Sequence, residues 1–512
     1  MTPRTNRPPT LRLSPADQLL IALRDLAPGD PLGEAGLVAT EAIPRGHKVA
    51  SAWIAQGQPV RKYGQIIGNA SNPIRPGEHI HSHNLEFVAS TADHTIGEHR
   101  GGTMLLPEAD RAMFRGIARA DGSVATRNYI GVLTTVNCSA TVARLIADQF
   151  RGPGALASFP HVDGVVALAH SVGCAAGENS EATAVLQRTL GGYARHPNFA
   201  AVLIIGLGCE TNGLDRLLKE QDLPTGDRIH RFMIQETGGT AATVKAGAER
   251  IRDLLGAANQ VRRTMVPVSH LKLALQCGGS DGFSGITANP ALGVAADILV
   301  RNGGTAILSE TPEIYGAENM LLSRAANPEV GLKLLDLIRW WERYAEVNGD
   351  SLDNNPSPGN KAGGLTTILE KSLGAAAKGG SSDLVEVLRY AEPVTKPGFV
   401  FMDTPGYDPV SATGQVAGGA NIMCFTTGRG SCFGCKPVPS IKLATNTGIY
   451  QKMQGDMDLN CGTIADGSQT VAEVGQSIFE LIVATASGAP TKSEQLGYGD
   501  EEFAPWHFGA TL

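Results

Sequence analysis

From about residue 117 onward, the chain alternates between short apolar runs and segments with helical periodicity. GVLTTVN precedes CSATVARLIADQF, VDGVVALAH precedes SVGCAAGENSEATAVLQRTL, and FAAVLIIGLG precedes CETNGLDRLLKEQ. The same order returns where LKLALQ is followed by CGGSDGFSGITANP and then by ALGVAADILV. Apolar runs of this length that alternate with helices are typical of a parallel sheet covered by helices. The pattern therefore predicts an α/β fold for most of the chain.

Glycine, proline and polar residues divide the chain into regions. Residues 13–90 are short apolar stretches separated by PGD, PRG and PGE, a pattern that predicts a small all-β module. Residues 91–116, which contain TADHTIGEHRGG, predict a polar linker. The alternation then predicts an α/β catalytic domain over 117–355, closed by a long helix in EVGLKLLDLIRWWERYAEVNG, and a C-terminal α/β domain over 356–512. We expect mainly parallel sheets in both regions, and a chain of 512 residues is long enough for about three domains.

Composition excludes several classes of protein. The net charge is −7, and the 43 basic and 50 acidic residues are well mixed, which predicts no binding to nucleic acid. The longest apolar runs, such as AAVLIIGL, are far shorter than the roughly 20 residues that span a membrane. MTPRTNRPPT has no apolar segment behind it, so we expect no secretory signal. Eight cysteines without such a signal predict free thiols or metal ligands in a cytoplasmic enzyme that acts on a small molecule.

Cysteines follow the predicted strands at the ends where ligands bind in parallel sheets. Those at strand ends are Cys138, Cys174, Cys209 and Cys277. If they converge with His170, their soft thiolates predict a site for iron or zinc, whereas the alternative is that they are ordinary buried cysteines. A ferredoxin-type cluster has little support because no CxxCxxC run is present. Cys432 and Cys435 form a CFGC motif, which has only half the ligands of a structural zinc site, so a loop dithiol is the alternative.

The stretch GEHIHSHN contains His79, His81 and His83. In a strand these three side chains would point to one face, because side chains alternate along a strand. Such a triad predicts a site for a divalent cation or an acidic ligand. A solvated row of histidines at a strand end is the alternative.

Three further loops set a cation among small residues. NPSPGNKAGG contains Lys361 and Asn360, TTGRGS contains Arg429, and SIKLATNT contains Lys442. Small residues leave room for a carboxylate and present backbone N–H groups to it, so these loops predict anion recognition. Each loop taken alone could be a flexible surface loop. No G-x-G-x-x-G or Walker motif is present, so a dinucleotide or ATP site is not favoured.

Several of these motifs occur together, in one order, over nearly the whole chain. They are RADGSVATRN, TTVNC, HSVGC, GLGCE, CGGSDGFSGITANP, NPSPGNKAGG, EKSLG, and TTGRG followed by PSIKLATNT. With these stretches the chain resembles the altronate and galactarate dehydratase family of sugar-acid hydro-lyases. Its N-terminal region resembles the SAF-type β module of that family. GEHIHSHN is similar to the altronate dehydratase form of the module, which favours altronate or a related aldonate over galactarate.

The resemblance implies a hydro-lyase that converts an aldonate or aldarate to its 2-keto-3-deoxy acid. For D-altronate the product would be 2-keto-3-deoxy-D-gluconate. The resemblance also implies a need for Fe²⁺, sometimes replaceable by Mn²⁺, and we expect a homo-oligomer, such as a dimer. The four strand-end cysteines match positions of the family, whereas Cys424, Cys432 and Cys435 do not.

Dehydration next to a carboxylate suggests roles for these residues. A metal ion would act as a Lewis acid, with the histidine triad and the four strand-end cysteines as its candidate ligands. Lys361 or Arg429 would neutralise the charge that develops on the substrate. His170 is the first candidate for the acid or base, and Asp281 is a further catalytic candidate. The expected substrate-binding residues are Ser280, Ser284, Thr287, Asn289, Asn360, Arg429 and Lys442.

Two alternatives stay open. One is a dehydratase that holds an iron–sulfur cluster on Cys138, Cys174, Cys209 and Cys277. The other is a non-catalytic protein that binds sugar acids, although no stretch of the chain resembles an output domain.

Overall fold

The structure is a computed structural model that describes residues 8–88, 94–174 and 177–509. Its N-terminal strands are β1 (Thr10–Leu11), β2 (Leu19–Ala22), β3 (Lys48–Ala50), β4 (Pro59–Lys62), β5 (Gln65–Ala70), β6 (His79–Ile80) and β7 (Leu85–Glu86). They form two antiparallel sheets, with the orders β1-β2-β3-β6 and β4-β5-β7. The PGD, PRG and PGE turns place Gly29, Gly46 and Gly77 at φ values of 88°, 85° and 88°, a conformation that favours glycine. The predicted all-β module is confirmed.

A small antiparallel sheet follows the module. Its strands are β8 (Met113–Ala118), β9 (Val124–Ala125) and β14 (Thr264–Pro267), in the order β14-β8-β9. The predicted linker over 91–116 therefore ends inside a strand rather than before it. Residues 89–93, where the predicted module meets the predicted linker, lie outside the described residues.

The first parallel sheet has the strands β10 (Tyr129–Thr134), β11 (Gly164–Leu168), β12 (Phe199–Gly206) and β13 (Ile229–Met233). Their order is β11-β10-β12-β13, and every pairing is parallel. The helices that accompany it are α1 (Ala140–Asp148), α2 (Glu181–Arg195), α3 (Leu214–Glu220), α4 (Ile234–Thr237) and α5 (Thr240–Ala258). The alternation that the sequence predicts for this region is confirmed.

The second parallel sheet has seven strands in the order β17-β18-β16-β15-β19-β20-β21. They are β15 (Lys272–Cys277), β16 (Thr305–Ser309), β17 (Leu384–Leu388), β18 (Gly398–Met402), β19 (Ile422–Thr427), β20 (Ser440–Ala444) and β21 (Leu459–Asn460). Its helices are α6 (Ala288–Arg301), α7 (Asn319–Leu322), α8 (Pro328–Val347), α9 (Pro358–Ala362), α10 (Ile368–Ala376), α11 (Asp408–Ala417), α12 (Thr447–Lys452), α13 (Val471–Ala486) and α14 (Lys492–Leu496). The predicted long helix is α8, which begins with a proline in its first turn behind the capping residue Asn327.

The predicted boundary between residues 355 and 356 does not separate two sheets. Strands β15 and β16 come from one side of it and β17 to β21 from the other, yet all seven share one sheet. Long crossover connections allow strands distant in sequence to pair, and the side chains of both groups fill the same core.

The two parallel sheets are connected through a pair of helices. Helix α2 follows β11, helix α11 follows β18, and the two helices pack against each other. A Cβ on Gly192 of α2 would lie 2.2 Å from the carbonyl oxygen of Ala417 in α11, so the C-terminal ends of the helices meet. Within the described part of the chain, no helix has both the length and the apolar character needed to cross a membrane.

Candidate active site

A buried cluster of acidic and thiol groups lies at the carboxyl end of the seven-stranded sheet. Cys277 ends β15, Glu310 directly follows β16, and Glu313 lies one turn further along. One ligand atom from each residue lies within 4.8 Å of the others, and their exposed fractions are 2%, 0% and 4%. These three residues are called the acidic-thiol centre below.

Two lysines balance the charge of the acidic-thiol centre. The Nζ of Lys378 donates to Cys277 Sγ over 2.8 Å and lies 3.6 Å from Glu310. The Nζ of Lys371 donates to Glu313 over 2.6 Å. Burial would lower the pKa of Lys378, but the neighbouring Cys277 and Glu310 raise it above its usual value, so this lysine is protonated. Burial raises the pKa of the Cys277 thiol to about 12.

The pKa values of the two carboxyl groups of the centre are shifted in opposite directions. Burial and the neighbouring Glu313 raise the pKa of Glu310 well above its ordinary value. Burial also acts to raise the pKa of Glu313, but Lys371 and Lys378 outweigh it and hold that pKa below its usual value. The two pKa values are therefore pushed apart, an arrangement found where acid and base chemistry coexist.

Glu310 also has an unusual backbone and unpartnered oxygens. Its φ is 73°, in the left-handed region that a residue with a side chain rarely adopts. Both oxygens of its carboxyl group are buried without a hydrogen-bond partner among the described residues. Backbone strain and an unsatisfied buried acceptor are characteristic of functional sites. Together with the nearby thiol and second carboxylate, these oxygens form a donor set that suits a divalent cation.

The loop CGGSDGFSGITANP is organised around Asp281. One carboxylate oxygen accepts hydrogen bonds from the backbone N–H groups of Phe283 and Ser284 and from the hydroxyl groups of Ser284 and Thr445. The other accepts from the Asn446 amide over 3.0 Å. Asp281 therefore shapes the loop, and it is not positioned as a free base in the way the sequence suggested.

The other polar residues of this loop also bind mainly to protein groups. Thr287 donates to the carbonyl oxygen of Thr445 over 2.7 Å. The Asn289 amide bridges Gly374 and Thr426 at 2.9 and 2.7 Å. Ser280 lines a small cavity next to the acidic-thiol centre. Side chains that border this cavity include Tyr63, Cys277, Ser280, Ser284, Asn289 and Lys371.

Two of the three predicted anion-binding loops meet this loop. The backbone N–H of Gly282 donates to the carbonyl oxygen of Gly363 over 2.8 Å, and Asn360 donates to the carbonyl oxygen of Ser280 over 2.9 Å. The backbone N–H of Arg429 donates to Gly279 over 2.8 Å. Asn360 is thus a loop-joining residue.

The cations of these two loops remain free. The side chains of Lys361 and Arg429 make no hydrogen bond or ion pair with the described residues, and Arg429 is exposed. Both are therefore available to an anion.

Lys442 does not take the predicted role. Its Nζ is buried and donates to the Phe433 carbonyl oxygen and the Tyr498 hydroxyl group, both over 2.8 Å. Lys442 lies within β20 rather than at its end, so its side chain anchors the CFGC loop. Within that motif Cys435 is buried and Cys432 is exposed, and no third ligand within 4.8 Å accompanies them among the described residues.

The histidines of GEHIHSHN gather with His47 against the Lys361 loop. His47 Nδ1 lies 3.0 Å from His79 Nε2, and His81 Nε2 lies 2.9 Å from the carbonyl oxygen of Lys361. The ring of His83 lies 5.6 Å from that of His79. Burial lowers the pKa of His47 to about 4 and that of His79 to about 3, so both rings are neutral near pH 7.

The histidines are not arranged as a ready metal site. Within the part of the chain that the structure describes, no three of their ring nitrogens lie within 4.8 Å of one another, unlike the ligand atoms of the acidic-thiol centre. The strand that was expected to align them covers only His79–Ile80. That these histidines bind a metal ion therefore stays a prediction.

The β module is fixed next to the site by charged and close backbone contacts. Glu370 accepts from Lys48 and from Lys62, each over 2.8 Å, and all three side chains are buried. A Cβ on Gly282 would lie 2.1 Å from the carbonyl oxygen of Gly46, so the backbones touch. The histidines, Lys361 and the acidic-thiol centre consequently belong to one region between the module and the seven-stranded sheet.

The four strand-end cysteines do not converge on one site. Cys138, Cys174 and Cys209 are exposed at the carboxyl end of the four-stranded sheet, whereas Cys277 is buried in the seven-stranded sheet. The expectation that all four share a site is therefore wrong for Cys277, because β15 pairs with strands of the other sheet.

His170 is not positioned as an acid or base. Its Nε2 lies 2.9 Å from the Thr134 carbonyl oxygen, and its Nδ1 accepts from the backbone N–H of Val172 over 3.3 Å. Burial lowers its pKa to about 4. Both ring nitrogens bind backbone groups, so His170 holds the loop that leads to Cys174.

Sequence reasoning missed most of the titratable residues at the site. They are His47, Lys48, Lys62, Glu310, Glu313, Glu370, Lys371, Lys378 and Asp408. Glu310 follows a strand directly, so the rule that selected the cysteines could have selected it as well. Glu370 and Lys371 lie in EKSLG, one of the stretches on which the family resemblance rests, but the sequence indicates no role for it. Lys378 carries no such signal, because only tertiary packing brings it to Cys277.

Comparison with known proteins identifies all three parts of the chain. The model of the altronate/galactarate dehydratase SAF domain matches residues 8–88, that of the second domain of D-galactarate dehydratase/altronate hydrolase matches 116–259, and that of the D-galactarate/altronate dehydratase C-terminal domain matches 268–511.

Curated relatives match over nearly the full length. Altronate dehydratase of Bacillus subtilis is 36% identical over 98% of this chain and 99% of its own length. Altronate dehydratase of Escherichia coli is 34% identical over the same shares, 98% and 99%. Galactarate dehydratase (L-threo-forming) of Escherichia coli is 39% identical over 90% of each chain.

Proposed function

Because the chain belongs to the family of altronate and galactarate dehydratases and is a hydro-lyase, we propose that it removes water from D-altronate to give 2-keto-3-deoxy-D-gluconate. We further propose that a divalent metal ion, Fe²⁺ or in its place Mn²⁺, assists this reaction. Membership of this family of hydro-lyases also excludes the alternative that the protein binds sugar acids without catalysis.

The position of the histidines supports altronate as the substrate. His81 touches the carbonyl oxygen of Lys361 over 2.9 Å, so GEHIHSHN borders the loop with a free cation. A stretch that resembles the altronate dehydratase form of the module thus lies beside the groups available to bind a sugar acid, where it can affect which substrate fits. This contact is the single observation on which the choice of altronate depends.

The negative charge that develops on the substrate suggests roles for the basic residues of the site. Removing a proton next to a carboxylate builds negative charge on a group that is already anionic, so fixed cations lower the barrier. Lys361 and Arg429 have no side-chain partner among the described residues and border the same loop, and they bind the substrate carboxylate. Lys378, which is buried, donates to Cys277, and the partly buried Lys371 borders the same cavity as Cys277, so both supply positive charge nearer the reacting carbons.

The acidic-thiol centre fits the metal ion. It combines one sulfur and two carboxyl groups, and the Glu310 carboxyl group has two buried oxygens without a hydrogen-bond partner in the described part of the chain. Fe²⁺ and Mn²⁺ accept such a mixed donor set. Cys277, Glu310 and Glu313 would hold the ion, which when bound supplies Lewis acidity towards the oxygens of the substrate.

Asp408 is the candidate for moving the proton. A Cβ on Gly278 would lie 2.1 Å from Asp408 Oδ2, so this carboxyl group faces the residue that follows Cys277. Burial and the neighbouring Glu313 raise its pKa to about 6. A carboxyl group with a pKa near the working pH is suited to proton transfer.

Anaerobic turnover of altronate, galactarate and related sugar acids, with and without Fe²⁺ or Mn²⁺, tests the proposal by assay of the 2-keto-3-deoxy acid. Product from altronate, with little from galactarate, supports it. Preferred turnover of galactarate keeps the hydro-lyase but overturns the role given to the histidines.

Metal content tests the centre separately. We expect Glu310→Gln to lose bound Fe²⁺ or Mn²⁺ and most turnover, whereas Glu386→Gln, a change in an ion pair with Lys396 away from the site, keeps both. Full metal binding and turnover in a folded Glu310→Gln variant would reject this centre as the metal site.

A further inference from the structure

We propose that Cys138, Cys174 and Cys209 form a binding site for an iron–sulfur cluster, separate from the acidic-thiol centre. The three thiols follow β10, β11 and β12, which are neighbours in the order β11-β10-β12. Neighbouring strands lie about 4.8 Å apart, so three consecutive strand ends confine these loops to one small edge of the sheet. The pairings along β10 are all parallel, so all three carboxyl ends point the same way.

Hydrogen bonds join each pair of the three loops. The backbone N–H of Asn137 donates to Val172 over 3.0 Å, which links the loops of Cys138 and Cys174. The backbone N–H of Asn212 donates to Gly173 over 3.1 Å, which links the loops of Cys209 and Cys174. The Asn212 side chain donates to Thr135 over 2.9 Å, which closes the set between the loops of Cys209 and Cys138.

Polar side chains, two of them buried, fix the shape of these loops. Glu210 accepts hydrogen bonds from the backbone N–H groups of residues 207–209 and from the hydroxyl group of Thr135. His170 uses both ring nitrogens on backbone groups, and Asn212 is 1% exposed. The polar groups next to the thiols are thus engaged with backbone, whereas the thiols themselves are exposed. Such loops present the thiols in a fixed arrangement.

The spacing of the thiols favours a cluster over a single ion. A zinc–sulfur bond is about 2.3 Å long, so the sulfurs of a tetrahedral site lie roughly 4 Å apart. Among the described residues, the group whose ligand atoms all lie within 4.8 Å is the acidic-thiol centre, and the three thiols are not such a group. This spacing disfavours a single ion, and we therefore propose a cluster held by cysteine thiolates, which is larger than one ion.

Three thiols suit a cluster that has one iron without a protein ligand. Four irons with three cysteine ligands leave one iron without a protein ligand, and that iron is open to an oxygen ligand, as in metal sites that keep an open position. Cys277 does not complete the set, since it lies in the other sheet and accepts from Lys378. Of the clusters that three thiolates can hold, we assign the [4Fe–4S] form to this site.

Anaerobic reconstitution with Fe²⁺ and sulfide tests the proposal. We expect about four irons and four sulfides per chain, a broad visible absorption band, and an electron paramagnetic resonance signal on reduction. Cys138→Ser, Cys174→Ser and Cys209→Ser should each lose most of the cluster. Cys432→Ser changes another exposed cysteine that lies outside these loops and should keep it.

Thiol labelling gives a second measurement in the unchanged chain. In the reconstituted protein Cys138, Cys174 and Cys209 should resist alkylation, while Cys432 reacts. A cluster that survives all three serine changes, equal loss in Cys432→Ser, or binding of one iron or zinc without sulfide would each overturn the proposal. Loss of metal from Glu310→Gln with the cluster intact would show that the two sites are independent, so failure of one proposal is distinguishable from failure of the other.

Discussion

Glu370→Gln should destabilise the protein strongly, because it removes the negative charge that lies between two buried lysines. Glu370 accepts from Lys48 and Lys62, each over 2.8 Å, and from the backbone and hydroxyl groups of Thr366 over 3.0 and 2.6 Å. The lysines belong to β3 and β4 of the module, whereas Glu370 belongs to α10. The change therefore weakens the contact between the module and the seven-stranded sheet.

The burial of these charges determines how much stability the variant loses. Glutamine keeps the size of the side chain but leaves two ammonium groups uncompensated, and breaking a buried ion pair costs about 3–5 kcal/mol. The alternative is that one of the two lysines loses its proton. Since an unfolded lysine titrates near 10.4, deprotonation at pH 7 costs about 1.4 kcal/mol for each of roughly 3.4 units, or about 5 kcal/mol. We therefore expect a loss of about 3–5 kcal/mol in the free energy of unfolding.

Urea unfolding of the wild type and of Glu370→Gln at several pH values measures this loss. In the variant one of the two buried lysines is deprotonated when folded and protonated when unfolded, so the unfolded state binds one more proton and stability rises with pH. The difference from the wild type should shrink by up to about 1.4 kcal/mol for each pH unit above 7 and below the unfolded pKa of lysine. Glu34→Gln is the matched control, since its partner Arg12 lies 2.7 Å away in an exposed pair of the same module, and such pairs contribute about 1 kcal/mol or less. A loss under 1 kcal/mol, or a difference that does not change with pH, would refute this reasoning.

Three more outcomes are expected. Asp281→Ala should lower the free energy of unfolding by about 2–4 kcal/mol, because several buried donors lose their acceptor, and a thermal unfolding midpoint equal to that of the wild type would contradict this. Lys361→Ala and Arg429→Ala should each raise KM for the sugar acid about tenfold or more with the unfolding midpoint unchanged, and steady-state kinetics with a KM equal to that of the wild type would exclude a role in binding. Burial lowers the pKa of His196 to about 4, whereas the pKa of an unfolded histidine is about 6.5. The unfolded state therefore binds more protons between these pH values. As a result, the free energy of unfolding should fall by about 3 kcal/mol from pH 6.5 to pH 4. His196→Asn should reduce that fall, and an unchanged pH profile of the unfolding free energy would argue against it.

The fold class follows from local patterns in the sequence. Apolar runs that alternate with helical segments specify parallel strands and their helices, and the PGD, PRG and PGE turns mark the module because glycine adopts positive φ at little cost. Sequence also identified the loops that matter, since strand ends are visible as the point where apolar residues give way to glycine and polar residues. These features depend on neighbouring residues, so a linear pattern contains them.

Local sequence patterns do not predict which residues come together at the site. Cys277 followed the same rule as Cys138, yet the two lie in different sheets, because strand order is set by pairing between segments far apart in the chain. Asp281 and Lys442 have the chemistry expected of site residues, but the structure gives them partners within the protein.

What the sequence by itself determined is the set of elements and the loops that join them. Only the tertiary structure decided which loops meet, and thus that Glu310, Glu313 and Lys378 surround Cys277 while three other thiols share a separate edge. The physical reason is that periodicity and turn preference act over a few residues, whereas strand pairing, burial and charge compensation join residues tens to hundreds of positions apart.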